Sequence, residues 1–291
     1  MRNLIMTRRS ALVSFAAAAV NPRVLLAAPV DQLAEELAKI EAKSKGRLGV
    51  AVLLPSGKRI QHRGEERFPM CSTFKFLAAS LVLTRVDSGK EHLDRAVSFS
   101  KGDLVTYSPE TEKHAGGSMT MAELCKAALT LSDNTAANLL LASFGGPPAV
   151  TSFARSIGDP VTRLDRTETT LNEATPGDPR DTTTPNAMVK NLEKVLLGNV
   201  LKPGTRKQLT EWMLENTTGK PKFVAGLPSD WKVADKTGSG GHGSNNDIGV
   251  LYPPAGKPIL IASYLTETEI PNDDRNAIHA DVARAIAARF S

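Results

Sequence analysis

Ser72-Thr73-Phe74-Lys75 opens an apolar stretch, so on a helix Ser72 and Lys75 lie one turn apart on the same face. A serine hydroxyl is a weak nucleophile until a base takes its proton, and a lysine buried at a helix start can lose enough basicity to share it. The first turn of a helix adds N–H groups and a positive field that favour an oxyanion. Taken alone, the spacing is better explained by a helix cap and a surface lysine. The same holds for Ser132-Asp133-Asn134, which reads locally as the cap of a helix over 135–144, and for Glu168, which stands four residues before Asn172 in a long polar stretch. Lys236-Thr237-Gly238 lies at the end of a strand, where a lysine flanked by Thr237 and Ser239 can grip a carboxylate while backbone N–H groups polarise a carbonyl. The glycines around 238–243 also fit the dinucleotide fingerprint G-x-G-x-x-G. That fingerprint needs a following helix, whereas Asp247 to Tyr252 reads as a strand, which makes a hairpin the better reading.

The elements that must position these groups are legible along the chain. Asp31 caps a helix with an apolar face at Leu33, Leu37 and Ile40, and Gly46 stops it in a left-handed conformation. Strands are expected over 48–54 and 58–62 around a Pro55-Ser56-Gly57 turn. From Thr73 to about Leu214 the period is helical. Phe74 to Val86 forms an apolar helix, Thr120 and Glu123 a capping box, and Thr184-Pro185 a cap with a first-turn proline. Residues 163–183 lack periodicity, and polar loops of that length are usually functional. Strands return over 231–235, 248–252 and 259–265, and a helix bearing Ile278, Val282, Ile286 and Phe290 closes the chain. The expected class is α+β: an antiparallel sheet flanked by terminal helices, spanning about 31–66 and 215–291, with a helical lobe of about 67–214 inserted and a cleft between them.

Composition narrows the functional classes. Arg2, Arg8, Arg9 and Arg23 supply four of the formal net charge of +5, leaving the rest of the 291-residue chain near neutral. A nucleic-acid binder, which needs clustered Lys and Arg against phosphates, is excluded on that ground. Arg8-Arg9, the apolar run from Ala11 to Val20 and the small pair Ala27-Ala28 read as an export signal over residues 1–28. Both the twin-arginine and the general route stay open. The run is too short to span a bilayer, so no membrane anchor is expected after cleavage and the body, 29–291, should be periplasmic or secreted. His62, His92, His114, His242 and His279 are scattered without ligand spacing, so no metal is expected. Cys71 and Cys125 are the only cysteines; in an exported protein they could form one disulfide, and sequence alone does not pair them.

The order changes the weight of the motifs. Ser72-x-x-Lys75, Ser132-Asp133-Asn134, Glu168-x-x-Leu171-Asn172 and Lys236-Thr237-Gly238 together resemble the signature of the class A serine β-lactamases. Arg163 to Arg166, Arg180 to Pro185 and Thr111 to His114 extend the resemblance over most of the chain. It implies hydrolysis of penicillins and cephalosporins without a cofactor, by a monomer whose partner is the small β-lactam alone. Ser72 would attack the lactam carbonyl, with the N–H groups of Ser72 and Ser239 as oxyanion hole. Lys75 would relay protons, and Ser132 would protonate the leaving nitrogen. Asn134 would hold Lys75 and the substrate amide, and Glu168 and Asn172 would position the deacylating water. Lys236, Thr237 and Ser239 would grip the substrate carboxylate, and Tyr107 would wall the pocket. The resemblance also implies free thiols, because the positions that pair with Cys125 or Cys71 in relatives are Ala79 and Gly240 here. Asn245 stands where many relatives carry a carboxylate-binding arginine, with Arg275 the only nearby candidate. Arg166 and Asp181 are suited to an ion pair that closes the long loop, worth about 0 to 1 kcal/mol if it faces solvent. A D,D-peptidase and a sensor that stays acylated are the competing readings, and Glu168 with Asn172 argues against both.

Overall fold

A computed structural model describes residues 29–290. The export-signal expectation for 1–28 lies outside the described residues. In chain order the elements are α1 (Pro29–Ser44), β1 (Arg47–Leu53), β2 (Arg59–His62), β3 (Phe68–Pro69), α2 (Phe74–Asp87), β4 (Ala96–Ser98), β5 (Ser118–Thr120), α3 (Met121–Thr130) and α4 (Asn134–Ser143). There follow α5 (Pro147–Ser156), β6 (Thr182–Thr183), α6 (Pro185–Leu192), α7 (Pro203–Leu214), α8 (Phe223–Gly226), β7 (Lys232–Ser239), β8 (Asn245–Tyr252), β9 (Ile259–Thr266) and α9 (Asn272–Phe290). The main sheet is fully antiparallel in the order β2-β1-β9-β8-β7.

Strand alternation divides the sheet residues between two cores. Leu48, Val50 and Val52 of β1 and Ile259, Ile261 and Leu265 of β9 face α1 and α9, with Leu33, Leu37, Ile278 and Ile286 among their partners. Ala51, Leu53, Leu260, Ala262 and Tyr264 point the other way, into a cluster that continues through Phe74 and Leu77 of α2, Leu140 of α4 and Met188 of α6. One face of the sheet thus shares its interior with the helices from the middle of the chain. Gly49 on β1 allows that contact, since a Cβ there would lie 2.3 Å from a Phe68 ring atom.

Several boundaries differ from the expected ones. α1 begins at Pro29, so Asp31 falls within its first turn and not before it. Lys45, not Gly46, takes the left-handed conformation after α1, with φ of 49°. Gly46 is required for a different reason, since a Cβ there would lie 2.7 Å from the Thr266 carbonyl oxygen. β7 runs from Lys232 to Ser239 and β8 starts at Asn245, so the Lys236 motif lies inside the ladder, paired as Lys236 with Ile248 and Gly238 with Asn246. Cross-strand pairing extends these strands beyond their apolar segments, a tertiary effect that periodicity does not report. The caps expected at Thr120 and Thr184 are present, Thr120 as a full capping box with Glu123.

His279 of α9 is fully buried, with Nδ1 2.8 Å from Ser263 Oγ and Nε2 2.9 Å from the Asn245 carbonyl. Burial pushes its pKa down to about 3. The imidazole is neutral in the folded chain and charged in the unfolded chain below its ordinary pKa, so its contribution is whole above about pH 6.5 and is lost as pH falls towards 3. Denaturant titrations from pH 7 to 4 should show His279→Gln losing less stability on acidification than the parent, by up to about 1.4 kcal/mol per pH unit.

Candidate active site

Ser72 sits in a 3-10 turn, Cys71–Thr73, that leads directly into α2. The turn is pinned from two sides: Asn246 Nδ2 donates to the Met70 carbonyl at 3.0 Å, and Thr73 Oγ1 donates to the same carbonyl at 2.8 Å. One helical turn on, Lys75 is fully buried. Its ammonium donates to the Ser132 carbonyl (2.7 Å), to Asn134 Oδ1 (2.6 Å) and more weakly to Ser132 Oγ (3.4 Å), and it lies 3.0 Å from Glu168 Oε1. Burial pulls the Lys75 pKa below the ordinary lysine value, an effect that the Glu168 charge opposes.

The Ser132-Asp133-Asn134 segment reaches this point because Asp133 caps α4. Its carboxylate accepts from the Ala136 N–H at 2.8 Å and also from Thr111 N–H and Oγ1 and from Glu110 N–H. The cap expected locally and the functional placement are therefore the same feature. Asn134 Nδ2 donates to the Thr106 carbonyl, which sets Tyr107, 58% exposed, on the rim.

Glu168 is carried by the long loop. Ser72 Oγ donates to its Oε1 at 3.2 Å, and Asn172 Nδ2 donates to its Oε2 at 2.5 Å. Asn138 of α4 brackets the same backbone, accepting from the Glu168 N–H and donating to its carbonyl. The Glu168–Thr169 peptide bond is cis. The loop is closed by Arg166, whose Nε donates to Asp181 Oδ2 at 2.6 Å, while Asp181 Oδ1 accepts from the N–H groups of Asp165 and Arg166. The expected pair is present, and with Asp181 1% and Arg166 17% exposed it lies largely out of solvent. Replacing Arg166 would leave the buried Asp181 carboxylate with only backbone N–H donors among these contacts.

β7 supplies the opposite wall. Lys236 is fully buried and donates to Ser132 Oγ at 3.0 Å and to the Thr237 carbonyl at 2.8 Å. Burial and the neighbouring Lys75 and Lys222 charges push its pKa well below the lysine value. Ser132 Oγ thus lies between two ammonium groups, each of which burial makes readier to give up a proton. Above these groups opens a cavity of about 440 Å³, walled by Ser72, Tyr107, Ser132, Asn134, Asn172, Thr237 and Ser239 among others. The ten residues to which the resemblance assigns a catalytic or substrate-binding role all line this cavity or lie directly beneath it.

Thr218, Lys222 and Asn276 also line the cavity and were not singled out. Thr218 and Lys222 lie in a short polar segment, Thr217 to Lys222, with no periodicity or motif to mark it. Lys222 is 3% exposed and donates to the Asn246 carbonyl at 2.9 Å, and burial lowers its pKa to about 8. Asn245 is not among the residues lining the cavity; its Nδ2 donates to Asn276 Oδ1 at 3.1 Å. Arg275 is not among the residues lining the cavity. Among the described residues no His, Cys, Asp and Glu cluster suits a metal ion.

A serine hydroxyl in contact with a buried carboxylate, and a second serine between two lysines, on a mixed α+β scaffold, are the parts that acyl-enzyme chemistry at a serine requires. A family model described as the β-lactamase enzyme family matches residues 32–290. β-Lactamase CTX-M-97 of Escherichia coli is 48% identical over 266 residues, 91% of each chain, and β-lactamase OXY-2 of Klebsiella oxytoca is 46% identical over 260 residues, 89% of this chain and 90% of that one. Among solved structures, an ancestral class A β-lactamase superposes with a TM-score of 0.88 at 60% identity, covering 89% of this chain and all of the other. The putative class A β-lactamase PenP of Rhodopseudomonas palustris gives 0.87 at 58%, covering 89% and 99%. The chain belongs to the class A β-lactamases.

Cys71 and Cys125 are both buried and free. Burial pushes the Cys71 thiol up to about 12 and raises that of Cys125 as well. A thiol reagent at pH 8 should therefore label neither cysteine in the native protein and both after denaturation without reductant, because the reactive species is the thiolate.

Proposed function

We propose that this chain opens the β-lactam ring of penicillins and cephalosporins by acylation and deacylation at Ser72, and so protects its host against these antibiotics. The observation that carries the reading is the position of Glu168, a buried carboxylate in contact with Ser72 Oγ on one oxygen and Asn172 on the other. Ser72 gives its proton to the buried Lys75–Glu168 pair as its oxygen attacks the lactam carbonyl, and with Glu168 replaced Lys75 still accepts it, so acylation outlasts the loss of Glu168. The N–H groups of Ser72 and Ser239 receive the oxyanion, and Ser132, fed by Lys75 and Lys236, protonates the departing nitrogen. Asn134 holds Lys75 and the substrate amide. Lys236, Thr237 and Ser239 take the substrate carboxylate, and Tyr107 packs on its rim.

An ester in this cleft persists until a water is deprotonated beside it. Glu168 supplies the base, and Asn172 Oδ1, buried without a partner among the described residues, supplies a further acceptor for that water. This pairing favours turnover over a D,D-peptidase or a permanently acylated sensor. The leader-like composition of residues 1–28 supports export to the periplasm or medium, and the completeness of the site within one chain supports action as a monomer. Among the described residues no helix is long and apolar enough to cross a membrane.

Intact-protein mass spectrometry with a penicillin tests the reading. Glu168→Ala should hold the acyl adduct for minutes or longer while the parent returns to free enzyme. An adduct that persists on the parent for hours would favour the sensor or peptidase. Ser72→Ala should fold normally and lose about 10⁴-fold or more in kcat; turnover near the parent rate would remove Ser72 from its role.

A further inference from the structure

A line of polar side chains runs from the interior behind β7 to the wall of the cavity. Asp235, 1% exposed, accepts from Asn216 Nδ2 at 2.6 Å. Asn216 Oδ1 accepts from the backbone N–H of Thr218 at 3.1 Å and from its hydroxyl at 2.8 Å. Thr218 Oγ1 lies 2.6 Å from Thr237 Oγ1, and both threonines face the cavity.

Donor counting fixes most of this line. A backbone N–H only donates, so Asn216 must turn its oxygen to Thr218 and its NH₂ to Asp235. The amide cannot reverse. Each hydroxyl has one proton, and the close Thr218–Thr237 contact needs exactly one of them between the oxygens. With the Thr218 proton on Asn216, the Thr237 proton points to Thr218, and Thr237 shows the cavity only lone pairs. An anion is repelled by that face. With the Thr218 proton turned to Thr237, the Thr237 proton is free to point into the cavity, and Asn216 Oδ1 still keeps the Thr218 N–H.

We propose that Thr218 is a positioning residue that makes the cleft selective for a carboxylate: an anion beside Thr237 draws the Thr218 hydroxyl from Asn216 to Thr237, so that Thr237 donates to the substrate. The inference rests on the reading of Thr237 as a carboxylate ligand. In the bound arrangement the two hydroxyls donate in series, Thr218 to Thr237 and Thr237 to the anion, and each bond polarises the next. A neutral ester carbonyl accepts the same bond more weakly, since a hydrogen bond to an ionised acceptor is roughly twice as strong.

The test compares a chromogenic cephalosporin with its own methyl ester, both turned over by the same preparation of purified enzyme. The acid-to-ester ratio of kcat/KM is independent of how much of a variant is folded. Thr218→Val should lower that ratio by about three- to tenfold, the loss of one hydrogen bond to a charged chain, and Thr218→Ser should restore it. An unchanged ratio in Thr218→Val, or a ratio in Thr218→Ser as low as in Thr218→Val, overturns the proposal. Thr237→Val separates the two levels: if it lowers the ratio while Thr218→Val does not, only the relay fails, and if it leaves the ratio intact, the reading of Thr237 fails with it.

Discussion

Lys75, Glu168 and Lys236 have side chains closed off from solvent, and a charge without water must find its compensation in the protein. That demand organises the site. Lys75 alone takes partners from two other segments: Ser132 and Asn134 before and within α4, and Glu168 in the long loop. Lys236 then reaches across from β7 to Ser132. None of these segments satisfies its own charge, so the arrangement exists only when helices, loop and sheet have all come together.

The backbone carries the cost of this convergence. Cys71, Tyr107 and Ser132 all have positive φ, at 45°, 64° and 60°, and none is glycine. Such conformations cost on the order of 1–3 kcal/mol each and persist when surrounding contacts over-determine them. Here the contacts are identifiable. Asn246 and Thr73 hold the turn at Met70, and the Asp133 carboxylate gathers the N–H groups of residues 110, 111 and 136 beside Ser132. The scaffold's polar network is thus spent on local geometry at the nucleophile and at the second serine.

The motif residues were legible because chemistry restricts their types and order: Ser72 with Lys75, Ser132 with Asn134, Glu168 with Asn172, and Lys236 with Thr237 are each short-range patterns. The sheet and the terminal helices were legible from period, since one strand face and one helix stripe are apolar. Thr218 and Lys222 were not, because they belong to no regular element and reach the cavity only through the folding of 216–222 against β7. The burial of Asp181 was missed for a similar reason. Its sequence neighbours are polar, and only the closure of residues 163–183 over it removes it from water. The extra length of β7 and β8 came from ladder pairing, which apolar patterning does not encode.

β7 lies at the end of the sheet order, with β8 on one side only. An unpaired strand border is ordinarily a hazard, since its free N–H and C=O groups can recruit another chain. Here that border faces the cavity, which Thr237, Gly238 and Ser239 of β7 line opposite Ser72, Ser132 and Asn134. A ligand laid along Thr237 to Ser239 would meet the open side of this border much as an added strand would, and recognition would become a matter of finishing a sheet that ends one strand short.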